Sequence, residues 1–159
     1  LSDVARRLQA QPGEILARLD ALSAGLAAAH KEIERLQREM AKQQVSALLA
    51  QVCEVNGVRL LAAKVNAGSG EALREMTDWL RDRMGSGIIV LGAVIGERPA
   101  LVAAVTPDLV GKGYHAGNIV KKVAAYVGGS GGGRAEMAQA GGKDASKLDE
   151  AIKAVSGLV

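Results

Sequence analysis

Eight apolar residues set the strongest constraint on how this chain can fold. Ile15, Leu19, Leu22, Leu26, Ala29, Ile33, Leu36 and Met40 follow one another at steps of four, three, four, three, four, three and four. That spacing of 3.5 residues is a heptad seam on one long helix. A helix over about 14–50 spans roughly 55 Å, more than a compact domain of this size encloses. The charges of HKEIERLQREMAK stand off the seam, and only Gly25 lowers the helix propensity inside it, by about 1 kcal/mol relative to Ala. Residues 1–52 therefore read as a helical, coiled-coil-like arm. A short helix over Ser2 to Ala10, with Ser2 and Asp3 as caps, precedes the long one and stops at Gln11-Pro12-Gly13. Two partners for the seam stay open: the short helix folded back as a hairpin, or another chain. Ala29, Gln43 and Ala47 are poor seam residues and argue against an extended, tight zipper.

Residues 53–159 read as an α/β globular domain, a mixed sheet of about five strands with flanking helices. Asn56-Gly57 joins two strands, the second over Val58 to Asn66, in the strongest short hairpin signal. Glu71 to Met84 is amphipathic, with Leu73, Met76, Leu80 and Met84 on one face and Trp79 beside them. Ile88 to Ile95 is a continuous apolar run, as in a strand buried on both faces, and Ala100 to Val105 returns after a turn at 96–99. A short helical turn at Thr106-Pro107-Asp108 leads to a glycine-rich loop, a helix over Ala116 to Val127 and a second glycine stretch over 128–133. A short strand within 135–142 and a final helix, capped by Asp144 or Ser146, close the chain. Half of the chain's 20 glycines fall between 111 and 142.

Composition removes several classes of function. One cysteine excludes an internal disulfide framework and a Cys-cluster zinc site, and Cys53 reads as a buried structural thiol. No apolar run approaches the ~20 residues of a membrane helix, and LSDVARRLQA has no signal-peptide core. A start at Leu1 points to a piece cut from a longer protein. No HxxxH or CxxC spacing suggests a metal site, and His30, amid helix charges, reads as solvated. Neither glycine stretch is a GxxxxGK[ST] loop, and GGSGGGR is not a dinucleotide fingerprint. No cofactor is expected.

Residues 106–143 carry five Lys/Arg against two acids, within a chain of net charge +3. Glycine-rich turns expose N–H groups that can hold phosphate oxygens. With no Phe, one Trp and two Tyr, the chain cannot build a base-stacking platform. Two readings follow from composition: solvated turns between packed elements, or a backbone-reading nucleic-acid surface.

The run TPDLVGKGYHAGNIVKKVAAYVGGSGGGRAEMAQAGG from Thr106 to Gly142 resembles the C-terminal (C-Ala, DHHA1-type) domain of alanyl-tRNA synthetase. The resemblance rests on Asp108-Leu109, Lys112-Gly113, Ala116-Gly117, the glycines before Arg134, Met137-Ala138-Gln139 and Gly141-Gly142. The family's usual Pro after the arginine is Ala135 here. DRMGSGIIVLGAV and the heptad arm are similar to the family as well. DHH-type phosphoesterases share the globular module but tend to carry His where Arg134 stands, and their catalytic domain is missing from this chain.

The resemblance implies a non-catalytic, cytoplasmic module of a bacterial-type enzyme, with aminoacylation and editing carried by domains upstream. It implies docking on the outer corner of tRNA-Ala, which brings one tRNA to both active centres. The implied partners are that tRNA, the upstream domains of the synthetase and, through the arm, a second copy. Expected RNA contacts are Lys112, Gly113, His115, Asn118, Lys121, Lys122, Gly131, Gly132, Gly133 and Arg134, with the cations on phosphates, the glycine N–H groups capping them and Asn118 on a 2′-OH. Tyr114 reads either as a stacking ring or as a core tyrosine. Expected association residues are Ile15, Leu19, Leu22, Leu26, Ile33, Leu36 and Met40.

Overall fold

The computed structural model describes residues 2–7, 9 and 11–159. Two compact units make up the chain, Leu1–Ala41 and Lys42–Val159. No helix among the described residues is long and apolar enough to cross a membrane.

In the first unit, α1 (Ser2–Arg7) is followed by a 3₁₀ turn over Pro12–Glu14 and then by α2, which runs Ile15–Leu49 and carries its last turns into the second unit. Ser2 already lies inside α1, so the predicted cap is a helical residue. Leu8 and Ala10, part of the predicted first helix, lie outside the described residues. Helix α2 is 35 residues long, about 52 Å at the standard rise. Its seam stays open to solvent: Leu19 is 44% exposed, Leu26 60% and Met40 61%, while Ile15 alone is buried. From Leu19 to Met40, none of the described residues covers the seam. Arg35 bonds Glu32 and Glu39 along the helix, and its guanidinium holds the Glu32 carboxyl below the usual carboxylate range.

The second unit is built on one six-stranded sheet, one strand more than the sequence predicts. Its strands are β1 (Cys53–Val55), β2 (Val58–Lys64), β3 (Ile88–Ile95), β4 (Arg98–Val105), β5 (Ser130–Gly133) and β6 (Met137–Gly141), in the order β1-β2-β3-β4-β6-β5. Asn56 and Gly57 turn β1 into β2 with φ of 51° and 78°, the twist of a two-residue hairpin loop. Strand β2 ends two residues before the predicted Asn66, and β4 starts at Arg98, because Gly96 and Glu97 alone make the second hairpin loop. Strands β2 and β3 are parallel, joined by the crossover helix α3 (Gly70–Met84); every other pair is antiparallel. The Ser69 hydroxyl accepts from Ala72 N–H and starts α3, and Gly85, at φ 70°, closes it through a bond to the Arg81 carbonyl.

Helix α3 packs on one face of the sheet, burying Leu73, Met76, Leu80 and Met84. Helices α5 (Ala116–Tyr126) and α6 (Leu148–Ala154) cover the other face, over Leu60, Ile88, Val90, Leu101 and Ala103. Strand β3 is central, and Ile88 through Ala93 are buried, as its unbroken apolar run predicts. At Gly92 of β3 the helix α6 approaches closely: a Cβ there would lie 2.8 Å from Leu148 Cδ1 and 3.1 Å from Ile152 Cδ1. Asp144 starts the last helical segment by accepting from Ser146 N–H. Cys53, expected to be buried, is exposed on the edge strand β1, where its Sγ lies 3.5 Å from the Leu60 carbonyl.

Candidate nucleic-acid interface

The path from β4 into α5 is held by a polar tie. Thr106 is buried, accepts from Gly87 N–H at 3.0 Å and donates to the Gly87 carbonyl at 3.3 Å. Two residues on, Ser86 donates its hydroxyl to Asp108, which holds the Asp108 carboxyl below the usual range. Leu109 drops into the core. The Thr-x-Asp-Leu segment is thus a clasp between the ends of two adjacent strands. Its sequence signal is a threonine placed directly after a buried apolar strand, where a hydroxyl survives only with partners.

Helix α4 (Pro107–Val110) ends in a turn that carries Lys112 and Gly113, both exposed. Gly113 has φ 100°, a conformation that side chains rarely adopt. Tyr114 packs against the core cluster, the second of its two readings. His115 occupies the cap position of α5 without a side-chain capping bond. The inner face of α5 buries Ile119, Val120, Val123 and Ala124. Its outer face carries Asn118, Lys121 and Lys122, spaced three and four apart and all exposed.

From Ser130 on, the second glycine stretch is not a turn. Ser130–Gly133 forms β5, the edge strand, paired to β6 with Gly132 opposite Gln139. Glycine is needed there for space: a Cβ on Gly133 would come 2.6 Å from Ala138 Cα, and one on Gly131 would come 2.5 Å from Ala140 Cα. Gly132 has open space on its Cβ side. An edge strand leaves alternate N–H groups without a ladder partner, so only part of this glycine backbone is free to face an anion.

The two glycine regions meet. Ala116 N–H donates to the Ala135 carbonyl at 2.8 Å. A Cβ on Gly117 would lie 3.0 Å from the Gly133 carbonyl and 2.9 Å from His115 Cε1, so the first turn of α5, the His115 ring and the end of β5 share one small space. The Nδ1 of His115 is buried there and has no hydrogen-bond partner among the described residues. Arg134, exposed, follows directly and bonds its N–H to the Met137 carbonyl. Lys112, Gly113, His115, Asn118 and Arg134 thus surround the start of α5, with Lys121 and Lys122 further along it. Among the described residues, none of Lys112, Lys121, Lys122 and Arg134 makes an ion pair. A helix N-terminus adds partial positive charge to this surface.

Residues 57–159 match the DHHA1 domain family. The alanine–tRNA ligase of Herpetosiphon aurantiacus is 50% identical over 153 residues, which are 96% of this chain and 17% of that protein. That of Geobacillus thermodenitrificans is 51% identical over 152 residues, again 96% and 17%. The chain thus spans less than a fifth of the length of these relatives. Among solved structures, the C-Ala domain from Aquifex aeolicus alanyl-tRNA synthetase is 28% identical with a TM-score of 0.62, covering 67% of this chain and 96% of that one. With a family match over five of the six strands and a neighbour of the same architecture, the chain belongs to the DHHA1 domain family, in the C-Ala form carried by alanyl-tRNA synthetases.

Proposed function

We propose that the chain is a non-catalytic, cytoplasmic module that docks the outer corner of tRNA-Ala and so helps one tRNA reach both the aminoacylation and the editing centres of its synthetase. The observation that carries this reading is the cluster of exposed cations on and beside α5, Lys112, Lys121, Lys122 and Arg134, none of which makes an ion pair among the described residues. Cations free of acids pair readily with phosphates, and they sit beside a glycine backbone that lets another backbone come close. The surface is poor in aromatic rings, which suits folded RNA read by shape, phosphate and 2′-OH. It needs no cofactor.

The test is titration of the chain against folded tRNA-Ala at two salt concentrations, beside the Lys121→Glu/Lys122→Glu variant. Each lost phosphate contact should lower the salt slope by about one. Equal binding and equal slope in both proteins would refute the assignment of the surface. In the full-length synthetase the same pair should lower kcat/KM for alanylation and for clearing mischarged tRNA together.

A second reading, a module used chiefly for association and tethering, is favoured by one specific observation. The α2 seam keeps Leu19, Leu22, Leu26, Ile33, Leu36 and Met40 between 44% and 61% exposed.

A further inference from the structure

We infer that Asn56 is a site of spontaneous chemical modification: the Gly57 backbone nitrogen displaces the Asn56 side-chain amide, and the product no longer ties residues 158–159 to the β1–β2 hairpin. The step involves neither the α5 surface nor the α2 seam.

The chain has three asparagines, Asn56, Asn66 and Asn118, and Asn56 alone is followed by glycine. The group that attacks an asparagine side chain is the backbone N–H of the next residue, so that residue decides the site. After Asn118, the Ile119 N–H is already bonded to the His115 carbonyl at 3.1 Å, in the first turn of α5. After Asn66 stands Ala67, whose Cβ hinders ring closure. Gly57 has no such carbon, and it is exposed together with Asn56. Its N–H has no hydrogen-bond partner among the described residues. Nothing lies within 4 Å of its Cβ position, so the peptide between Asn56 and Gly57 has room to rotate towards the side chain.

Water is the only co-reactant. The Gly57 nitrogen bonds to Asn56 Cγ, the Cγ–Nδ2 bond breaks, and the Gly57 proton leaves with Nδ2 as ammonia. Water then opens the cyclic imide at either carbonyl, giving aspartate or its isomer with the backbone routed through the side chain. The reaction removes a tie. Asn56 Nδ2 donates to the Val159 oxygen at 3.1 Å, and Val55, Leu158 and Val159 pack against the core cluster. A carboxylate has no proton to donate, so the Val159 oxygen is left facing another acceptor. The isomer also lengthens a two-residue loop whose φ values of 51° and 78° match the twist of its strands. Both products loosen residues 158–159 from the hairpin.

The experiment incubates the folded 159-residue chain in heavy-oxygen water at neutral and at mildly alkaline pH, followed by digestion in acid and peptide mass mapping. The expected result is conversion at Asn56, with heavy oxygen in the new carboxyl group and a faster rate at the higher pH, while Asn66 and Asn118 stay amides. No conversion at Asn56, or earlier conversion at Asn66 or Asn118, overturns the site. The release is read separately by hydrogen exchange, in the converted chain and in an Asn56→Asp variant that starts as the product. In both, the Leu158 N–H, bonded to the Val155 carbonyl at 2.9 Å, should exchange about fivefold faster, the worth of one hydrogen bond. Unchanged exchange in both chains overturns the release of residues 158–159.

Discussion

Gly131 and Gly132 are neighbours in an all-glycine stretch, yet the structure gives them opposite responses to a methyl group. At Gly131 a Cβ would stand 2.5 Å from Ala140 Cα and closer still to the Ala140 Cβ and the Gln139 carbonyl. Carbons rest near ~3.5–4.0 Å, so β5 must move off β6 by about 1 Å, enough to break ladder bonds. Overpacking of this kind costs about 3 kcal/mol. At Gly132 nothing lies within 4 Å and φ is not positive, so alanine fits. It should stabilise by ~0.4–1 kcal/mol through the unfolded chain. The entropy of unfolding for a chain of this size converts 1 kcal/mol into roughly 3–4 °C. Thermal unfolding by far-UV circular dichroism should therefore show Gly131→Ala about 10 °C below the native chain and Gly132→Ala level with it or slightly above. Equal melting of the two variants would refute the strand assignment and return the segment to a loop. A folded Gly132→Ala protein is also the right one in which to ask whether this backbone touches tRNA.

Thr106→Val keeps the shape of the clasp and the bond from its own backbone N–H to the Gly87 carbonyl, but strips the buried Gly87 N–H of the hydroxyl it donates to, and should cost ~1–3 kcal/mol in urea unfolding. Asp108 is held below its ordinary pKa by Ser86, so its contribution is full at neutral pH and is lost as pH falls through the lowered folded value. Asp108→Asn should accordingly be less stable than the native chain at pH 7, with the difference vanishing in acid; a pH-independent difference would rule out this linkage. Gly92→Ala pushes on the tips of Leu148 and Ile152 and should cost about 1–3 kcal/mol, measured by the same unfolding curves.

The parts of the fold legible in the sequence were those governed by local pattern. The Asn56-Gly57 hairpin, the amphipathic helix ending at Met84 and the apolar run Ile88–Ile95 each carry their own period or turn chemistry, and each forms where that chemistry places it. The glycine stretch 130–133 was not legible as a strand. Glycine has no strand propensity, and the reason for strand here is the close approach of β6, which lies across a hairpin whose register no local pattern reveals. Cys53 misled for the same reason: a small, weakly polar side chain takes its burial from the neighbours, and at the sheet edge there are few.

The candidate surface divides in the same way. Sequence alone determined that a heptad seam exists, that the cations of 112–134 outnumber acids, and that the Thr-Asp-Leu and glycine motifs belong to one family. These are matters of residue type and spacing along the chain. Only the tertiary structure decided that Thr106 and Asp108 clasp the Ser86-Gly87 turn, that Gly117 and Gly133 bring the two glycine regions into one space around His115, and that the seam is left open. Each of those depends on which surfaces meet across more than ten residues of intervening chain, and contact energies of that kind are set by the packed sheet and not by the local sequence.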